Sequence, residues 1–306
     1  MRNVIIIGSG PAGYTAAIYA ARAQLEPLLF TSLNEAGGDL MKTTEVENYP
    51  GFDIGVQGPE LMRAMQIQAE RFGTEVRYED VVKVELDGDV KRVHLGTDYV
   101  EETRSVIIAT GAEYRRLGVP GEDRLSGAGV SWCATCDGFF FRGKTVAVVG
   151  GGDSAMEEAT FMTRFADKVY VIHRSKTLNA SKVMQQRAFE DPKIEFLWDQ
   201  QVTEIHGEKK VESVTLTDSL DGSTRELELD GLFIAIGNTP RTDLVKGVLD
   251  LTAEGTIAVR GRSSKTNIPG VFAAGDVIDP DYRQAITAAG SGAAAALDAE
   301  RYLAAR

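Results

Sequence analysis

Twice in this chain a short apolar run breaks into a glycine-rich turn and then a helix-forming stretch, and the second occurrence lies inside the first. The first copy runs Val4 to Ile7, then Gly8-Ser9-Gly10-Pro11-Ala12-Gly13, then an alanine-rich helix over Tyr14 to Ala23. It closes with Val106-Ile107-Ile108-Ala109-Thr110-Gly111. The second runs Thr145 to Val149, then Gly150-Gly151-Gly152-Asp153-Ser154-Ala155, then a helix over Met156 to Arg164. It closes with Leu232-Phe233-Ile234-Ala235-Ile236-Gly237. Uninterrupted apolar strands between helices indicate parallel sheets covered on both faces, so the expected class is α/β. Pro120-Gly121 and Asn238-Thr239-Pro240 carry turn chemistry and mark crossovers. The tail has Gly270-Val271-Phe272-Ala273-Ala274-Gly275-Asp276 and a small-residue helix over Gln284 to Leu297, with no fingerprint of its own. It is expected to return and complete the first module. The first domain is then discontinuous (1–112 and 245–306), and the second (113–244) is inserted in it.

The glycine spacing has a physical use. The first glycine permits the tight strand-to-helix turn, the second lets backbone approach a pyrophosphate, and the third small residue lets helix and strand pack closely. The helix N-terminus then offers N–H groups and partial positive charge to the phosphates. With 32 glycines in 306 residues, a bare G-x-G-x-x-G arises by chance roughly 0.3 times in such a chain. A strand before and a helix after, twice over, is what points to two Rossmann-like dinucleotide-binding domains. The candidate contacts are Gly8, Gly10, Pro11, Ala12 and Gly13, with Ala109, Thr110 and Gly111 closing the first site. In the second they are Gly150, Gly152, Asp153, Ser154 and Ala155, with Ile236 and Gly237 closing it.

The ribose partners depart from the usual pattern. About 20 residues after the first fingerprint an acidic residue is expected at a strand end. This chain has Leu28-Leu29-Phe30-Thr31-Ser32, so a hydroxyl such as Ser32, or Asn34 or Glu35, must serve instead. The strand Val169 to Ile172 ends in His173-Arg174-Ser175-Lys176. Cationic and hydroxyl groups there suit a 2′-phosphate, hence NADPH over NADH; the alternative is a solvated basic turn.

The length of 306 residues suggests about two domains. With 43% hydrophobic and 25% charged residues the composition is that of a globular chain. A formal net charge of -12 argues against nucleic-acid or anionic-membrane partners. No apolar run approaches the ~18 residues that span a bilayer. The apolar run after Met1-Arg2-Asn3 is shorter than the ~7–15 residues of a signal-peptide core, and a cytoplasmic location is expected.

Both cysteines lie in one tetrapeptide, Cys133-Ala134-Thr135-Cys136. A zinc site needs about four ligands. With only 2 cysteines and the 3 histidines His94, His173 and His206, no metal is expected. His94 and His206 lie in polar stretches and read as surface residues. A structural disulfide closing so short a loop adds only roughly 2 kcal/mol, and a cytosolic chain has little use for it. A redox-active dithiol is the stronger reading, because the second thiol resolves a mixed disulfide formed at the first. A helix starting here would favour a thiolate at its N-terminus. Asp137 would oppose that thiolate, so proton delivery is its expected use; the alternative is an ordinary acidic residue on a helix first turn.

Two dinucleotide sites and one dithiol suggest an electron relay. A flavin is inferred between nicotinamide and disulfide, since nicotinamide seldom reduces a disulfide directly. The chain resembles the bacterial low-molecular-weight thioredoxin reductases. The matching elements are Gly8 to Gly13, Thr44-Glu45-Val46-Glu47-Asn48-Tyr49-Pro50-Gly51, Cys133-Ala134-Thr135-Cys136-Asp137-Gly138, Gly150 to Ala155, Ala274-Gly275-Asp276 and Arg283-Gln284-Ala285. They occur in the family's order over essentially the whole chain. Cysteines in the second module set this family apart from related disulfide reductases, which carry theirs in the first.

The resemblance implies a homodimer that binds FAD tightly and reduces thioredoxin with NADPH, with rotation of the inserted NADPH domain. It implies that Cys133 attacks thioredoxin, Cys136 faces the flavin and Asp137 is the acid/base. Asp276 would bind the ribityl chain, with Arg283, Gln284 and Ala285 near the isoalloxazine. Gly38, Asp39, Leu40, Asn48 and Gly275 complete the expected flavin contacts. Three positions depart from the family: Ser175 and Asn179 replace arginines of the NADPH turn, and Asp39 stands where many members have glutamine. The alternative is a related flavin-dependent reductase or dithiol oxidase acting on another thioredoxin-like protein or a small disulfide.

Overall fold

The structure, a computed structural model, describes residues 1–33, 36–43 and 45–306. Asn34, Glu35 and Thr44 lie outside the described residues. The described chain forms α1 (Pro11–Arg22), α2 (Gly58–Arg71), α3 (Ala134–Asp137), α4 (Asp153–Met162), α5 (Lys182–Glu190) and α6 (Ala285–Ala304). It divides into two compact units, Met1–Glu113 with Thr239–Arg306, and Tyr114–Asn238. The first crossing comes one residue after the expected boundary, and the second comes earlier than the expected 245. The reason is hydrogen bonding ahead of residue 245: Arg241 N–H donates to Gly111 O at 3.0 Å and Thr242 Oγ1 donates to Gly255 O at 3.3 Å, both within the first unit.

In the first unit, strands Glu75–Tyr78, Leu28–Thr31, Arg2–Ile7 and Val100–Ile108 lie side by side in parallel. The nine-residue strand Val100–Ile108 has two partners on its far side. Its first half pairs antiparallel with Lys91–Leu95, and its last three residues pair in parallel with Val271–Ala273. The sequence shows why. Val100 to Arg104 alternates exposed and buried, as a one-sided hairpin strand does, while Ser105 to Ile108 is buried throughout. The tail thus completes the first sheet, as its apolar run predicts. One face packs on α1, α2 and α6 through Val4, Ile6, Ala16, Met62 and Ala295. A β-carbon on Gly292 of α6 would lie 2.1 Å from Ala12 O of α1, so these helices approach closely because small residues line both.

The second unit is a five-stranded parallel sheet in the order Val130–Ser131, Gly231–Ile234, Thr145–Val149, Lys168–His173, Ile194–Trp198. Val146, Val148 and Val171 face α3, α4 and α5. Ala147, Val149 and Ile172 face a three-stranded antiparallel sheet, Gln200–His206, Ser213–Asp218 and Thr224–Glu228. The two-domain dinucleotide-binding α/β fold is therefore the observed one. Among the described residues no helix is long and apolar enough to cross a membrane, and no cluster of His, Cys, Asp and Glu could hold a metal ion. His94 and His206 are half-buried, paired with Glu85 at 3.2 Å and Thr215 at 2.7 Å.

Candidate functional site

The first fingerprint behaves as its spacing requires. Gly8 has φ +111, and a β-carbon on it would lie 2.1 Å from Ala109 O. One on Gly13 would lie 1.9 Å from Gly8 O, so that glycine is needed for strand–helix packing. One on Gly10 would meet nothing within 4 Å, which leaves open space at the N-terminus of α1 for a ligand. Pro11 opens the helix at its first turn and Ala12 is buried.

The hydroxyl at the next strand end is already engaged. Thr31 is buried and hydrogen-bonded to Ser9, whose Oγ also accepts the Gly37 N–H at 2.9 Å. Ser32 follows it, half-buried. Gly38 approaches Gly10, with a β-carbon there 3.4 Å from the Gly10 Cα. Asp39 is exposed and Leu40 half-buried on the same short three-ten turn. Thr110 Oγ1 donates to Arg241 O at 2.7 Å, tying the closing turn Ala109-Thr110-Gly111 to the returning segment.

The other end of this site is built by the tail. Gly275, at φ +81, places Asp276 after strand Val271–Ala273, and its N–H donates to Ser291 Oγ at 2.8 Å. Burial pushes the half-buried Asp276 carboxyl up to about 7. The charges of Asp279 and Asp39 add to that, and Arg283 opposes it. Gln284 caps α6 in a reciprocal box with Thr287 and accepts from Asn48 Nδ2 at 3.2 Å; Ala285 is the first helical residue. These residues fit a flavin dinucleotide: open backbone for the pyrophosphate and a carboxyl whose desolvation hydroxyl donors would relieve.

The second fingerprint opens onto a cleft of about 700 Å³. Gly150, Gly152, Ser154, His173, Arg174, Ile236 and Gly237 line it. Gly152, like Gly10, has open space where a β-carbon would be. No carboxylate is among the lining residues, while Arg115, Arg116 and Arg174 are, so the cleft is shaped for an anion. Asp153, Ala155 and Ser175 do not line it. Asp153 accepts the Ser181 N–H at 2.6 Å, just before α5. Ala155 is buried against the sheet, and Ser175 Oγ bonds Thr177 O at 3.2 Å. Lys176 pairs with Asp199 at 3.5 Å. Sequence reasoning missed Arg115, Arg116, Gln200, Gln201 and Thr203 as cleft residues. A basic pair just after a crossover in an acidic chain was the available signal.

The redox pair lies in this same unit. Cys133 and Cys136 form a disulfide, with Cys133 half-buried and Cys136 exposed. Cys133 caps α3, which is a single turn of four residues continued by the three-ten turn Gly138–Phe141. One turn carries little macrodipole, so thiolate support from helix polarity is smaller than a full helix would give. Instead Cys133 O accepts the N–H groups of Cys136 and Asp137, each at 3.2 Å. Thr135 Oγ1 lies 3.3 Å from Cys133 Sγ. Burial raises the Asp137 carboxyl above its ordinary value, and the Ser131 hydroxyl pulls it partly back. Asp137 directly follows Cys136 in the chain, so this raised carboxyl and the disulfide belong to the same short turn.

Known proteins resemble this chain over nearly its whole length. The profile of the pyridine nucleotide-disulphide oxidoreductases matches residues 2–292. A thioredoxin reductase of Streptomyces clavuligerus is 61% identical over 305 residues, covering 100% of this chain and 95% of that one. A bifunctional thioredoxin reductase/thioredoxin of Mycobacterium leprae is 54% identical, over 99% of this chain and 66% of its own length. The crystal structure of thioredoxin reductase from Streptococcus pyogenes superposes with a TM-score of 0.95 at 45% identity, covering 100% and 99% of the two chains.

Proposed function

The chain belongs to the pyridine nucleotide-disulphide oxidoreductase family, and from that membership we propose that it is a thioredoxin-disulfide reductase driven by NADPH. The observation that carries this is the Cys133–Cys136 disulfide in the same unit as a carboxylate-free, arginine-lined nucleotide cleft. FAD, when bound, supplies a two-electron carrier between a hydride donor and a disulfide. The first unit would hold it: Gly8 to Gly13 at the pyrophosphate, Asp276 at the ribityl hydroxyls, and Asn48, Arg283, Gln284 and Ala285 towards the ring. The second unit would hold NADPH, with Gly150 to Ser154 at its pyrophosphate and Arg174 at its 2′-phosphate.

Reduction of the disulfide takes up two electrons and two protons and leaves two thiols. Cys133, as thiolate, attacks one sulfur of oxidised thioredoxin and displaces the other, giving a mixed disulfide. Cys136 then attacks Cys133, which restores the internal disulfide and releases thioredoxin as a dithiol. Asp137 holds the proton that these steps exchange. Hydride transfer needs reacting atoms about 3–3.5 Å apart, so nicotinamide and disulfide take the same position in turn, through rotation of the second unit. Assembly as a homodimer and a cytoplasmic location belong to the same proposal. The relative that joins both names in one chain supports thioredoxin as the protein substrate.

The test is NADPH-driven reduction of thioredoxin by the FAD-loaded protein. Cys133→Ser and Cys136→Ser should each abolish it while leaving the visible flavin spectrum in place. Full turnover in either variant refutes the relay, and a protein that stays colourless after incubation with excess FAD refutes the whole assignment.

A further inference from the structure

Three arginines line the nucleotide cleft of the second unit, and the fold leaves them in different states. Arg116 is answered by the Asp123 carboxylate, and its guanidinium carbon lies 5.3 Å from the centre of the Trp132 ring. Arg115 and Arg174 have no ion-pair partner among the described residues, and no carboxylate lines the cleft with them. Arg115 is exposed, yet its place is fixed. Its N–H donates to Gly237 O at 3.0 Å. Gly237, at φ +99, has no side chain, and a β-carbon there would lie 3.8 to 3.9 Å from Arg115 Cδ, Nε and Nη1. The guanidinium arm therefore runs along the bare glycine. The chain just beyond is clamped. Glu122, only 2% exposed, accepts the N–H groups of Leu117 at 3.1 Å and Gly118 at 2.7 Å, and Pro120 O accepts the Ile205 N–H at 2.9 Å.

Strand order says which half of a dinucleotide each free arginine meets. The pyrophosphate belongs at the glycine turn between Thr145–Val149 and α4, and the adenosine ribose at the end of the next strand, Lys168–His173, where Arg174 follows. The nicotinamide half then runs the other way, over the end of Gly231–Ile234. That strand flanks Thr145–Val149 on its opposite side and carries Gly237, under Arg115, just beyond its end. From this placement we infer that Arg115 is the residue that distinguishes the reduced from the oxidised coenzyme. The inference rests on the reading of the cleft as the NADPH site. The ring of NADPH is neutral and that of NADP+ carries a positive charge, so an uncompensated guanidinium beside it favours the substrate and helps to expel the product. Two like charges about 6 Å apart, at an effective dielectric of about 40–80, repel enough to change affinity about three- to tenfold. Arg174 cannot make this distinction, because the 2′-phosphate it faces is the same in both forms. The charge of Arg116 is balanced by Asp123.

The experiment is isothermal titration calorimetry of the oxidised, FAD-loaded protein with NADP+ and with the tetrahydro derivative of NADP, whose ring is neutral and gives up no hydride. Arg115→Gln should lower the ratio of the two dissociation constants, NADP+ over the neutral analogue, by about three- to tenfold. Arg115→Lys should keep the wild-type ratio. Arg115→Met should match Arg115→Gln, so a folding failure in one leaves the other to decide. NAD+ and its tetrahydro derivative should show the same change, since the ring is shared. Arg174→Ala should weaken both NADP forms alike and leave their ratio as in wild type. An unchanged ratio in folded Arg115→Gln or Arg115→Met overturns the inference. That includes equal weakening of both ligands, which would make Arg115 a phosphate contact only. An equal fall of the ratio in Arg174→Ala overturns it too. A wild-type protein that binds neither NADP form counts instead against the reading of the cleft.

Discussion

Replacing Asp276 by asparagine gives a pH-dependent change in stability whose sign the structure dictates. The carboxyl is held near 7 in the fold, against 3.8 for the ordinary group, chiefly by burial and then by Asp279 and Asp39. Between those values the folded state binds a proton that the unfolded chain has released. Stability therefore falls as pH rises from about 4 to about 7, and the full penalty remains above that. A shift of about three units corresponds to at most about 4 kcal/mol. Asp39 is exposed and its charge is screened by salt, so about 2–3 kcal/mol is the working figure. Asparagine resembles the protonated acid and does not titrate. The Asp276→Asn apoprotein should match wild type at pH 4 and exceed it by that amount at pH 8. Both tryptophans, Trp132 and Trp198, lie in the second unit, so their fluorescence would not report on the right region. Hydrogen exchange read by mass spectrometry on peptides spanning Val271–Ala273 and α6 would, with second-unit peptides as control. Equal pH dependence in the two proteins refutes the reasoning.

The second and third glycines of the first fingerprint should separate folding from cofactor binding. Gly10→Ala, with open space at the new β-carbon and φ −69, should leave the apoprotein's melting temperature unchanged yet lower FAD affinity at least about tenfold. Gly13→Ala, which drives a β-carbon into Gly8 O, should destabilise the apoprotein by about 1–3 kcal/mol or more. Retained FAD affinity in Gly10→Ala would show that the open space is not the cofactor's. Arg174→Ala should raise KM for NADPH by about 10- to 150-fold and leave KM for NADH nearly unchanged, the value of one charge-assisted contact. Lys176→Ala should change either KM less than about threefold, because its ammonium is turned to Asp199. Equal effects of Arg174→Ala on both nucleotides would show that it does not read the 2′-phosphate.

How much of this was legible depended on whether a residue's job is set by its neighbours in sequence or in space. Gly8 and Gly150 announce themselves because a strand-to-helix turn is a local problem with a local solution. The nesting was legible for a similar reason: Val271-Phe272-Ala273 is an apolar run too short to be anything but a strand, and the sheet had room for one more. The three-stranded sheet of the second unit was not, since Gln200–His206 and Ser213–Asp218 mix polar and apolar residues and cover only one face. The same distinction runs through the sites. Cys133, Cys136 and Asp137 are neighbours in sequence, and the pairing of the two cysteines could be read from their spacing. The cleft wall could not, because Arg115, Arg174 and Gln200 meet only through the order of the strands that carry or precede them. The basic turn His173-Arg174-Ser175-Lys176 shows the limit most clearly. Its composition offers three groups to a phosphate, yet the fold gives Ser175 to its own backbone and Lys176 to Asp199. Arg174 alone of the three reaches the cleft. The cleft therefore receives fewer groups from this turn than its string of residues suggests.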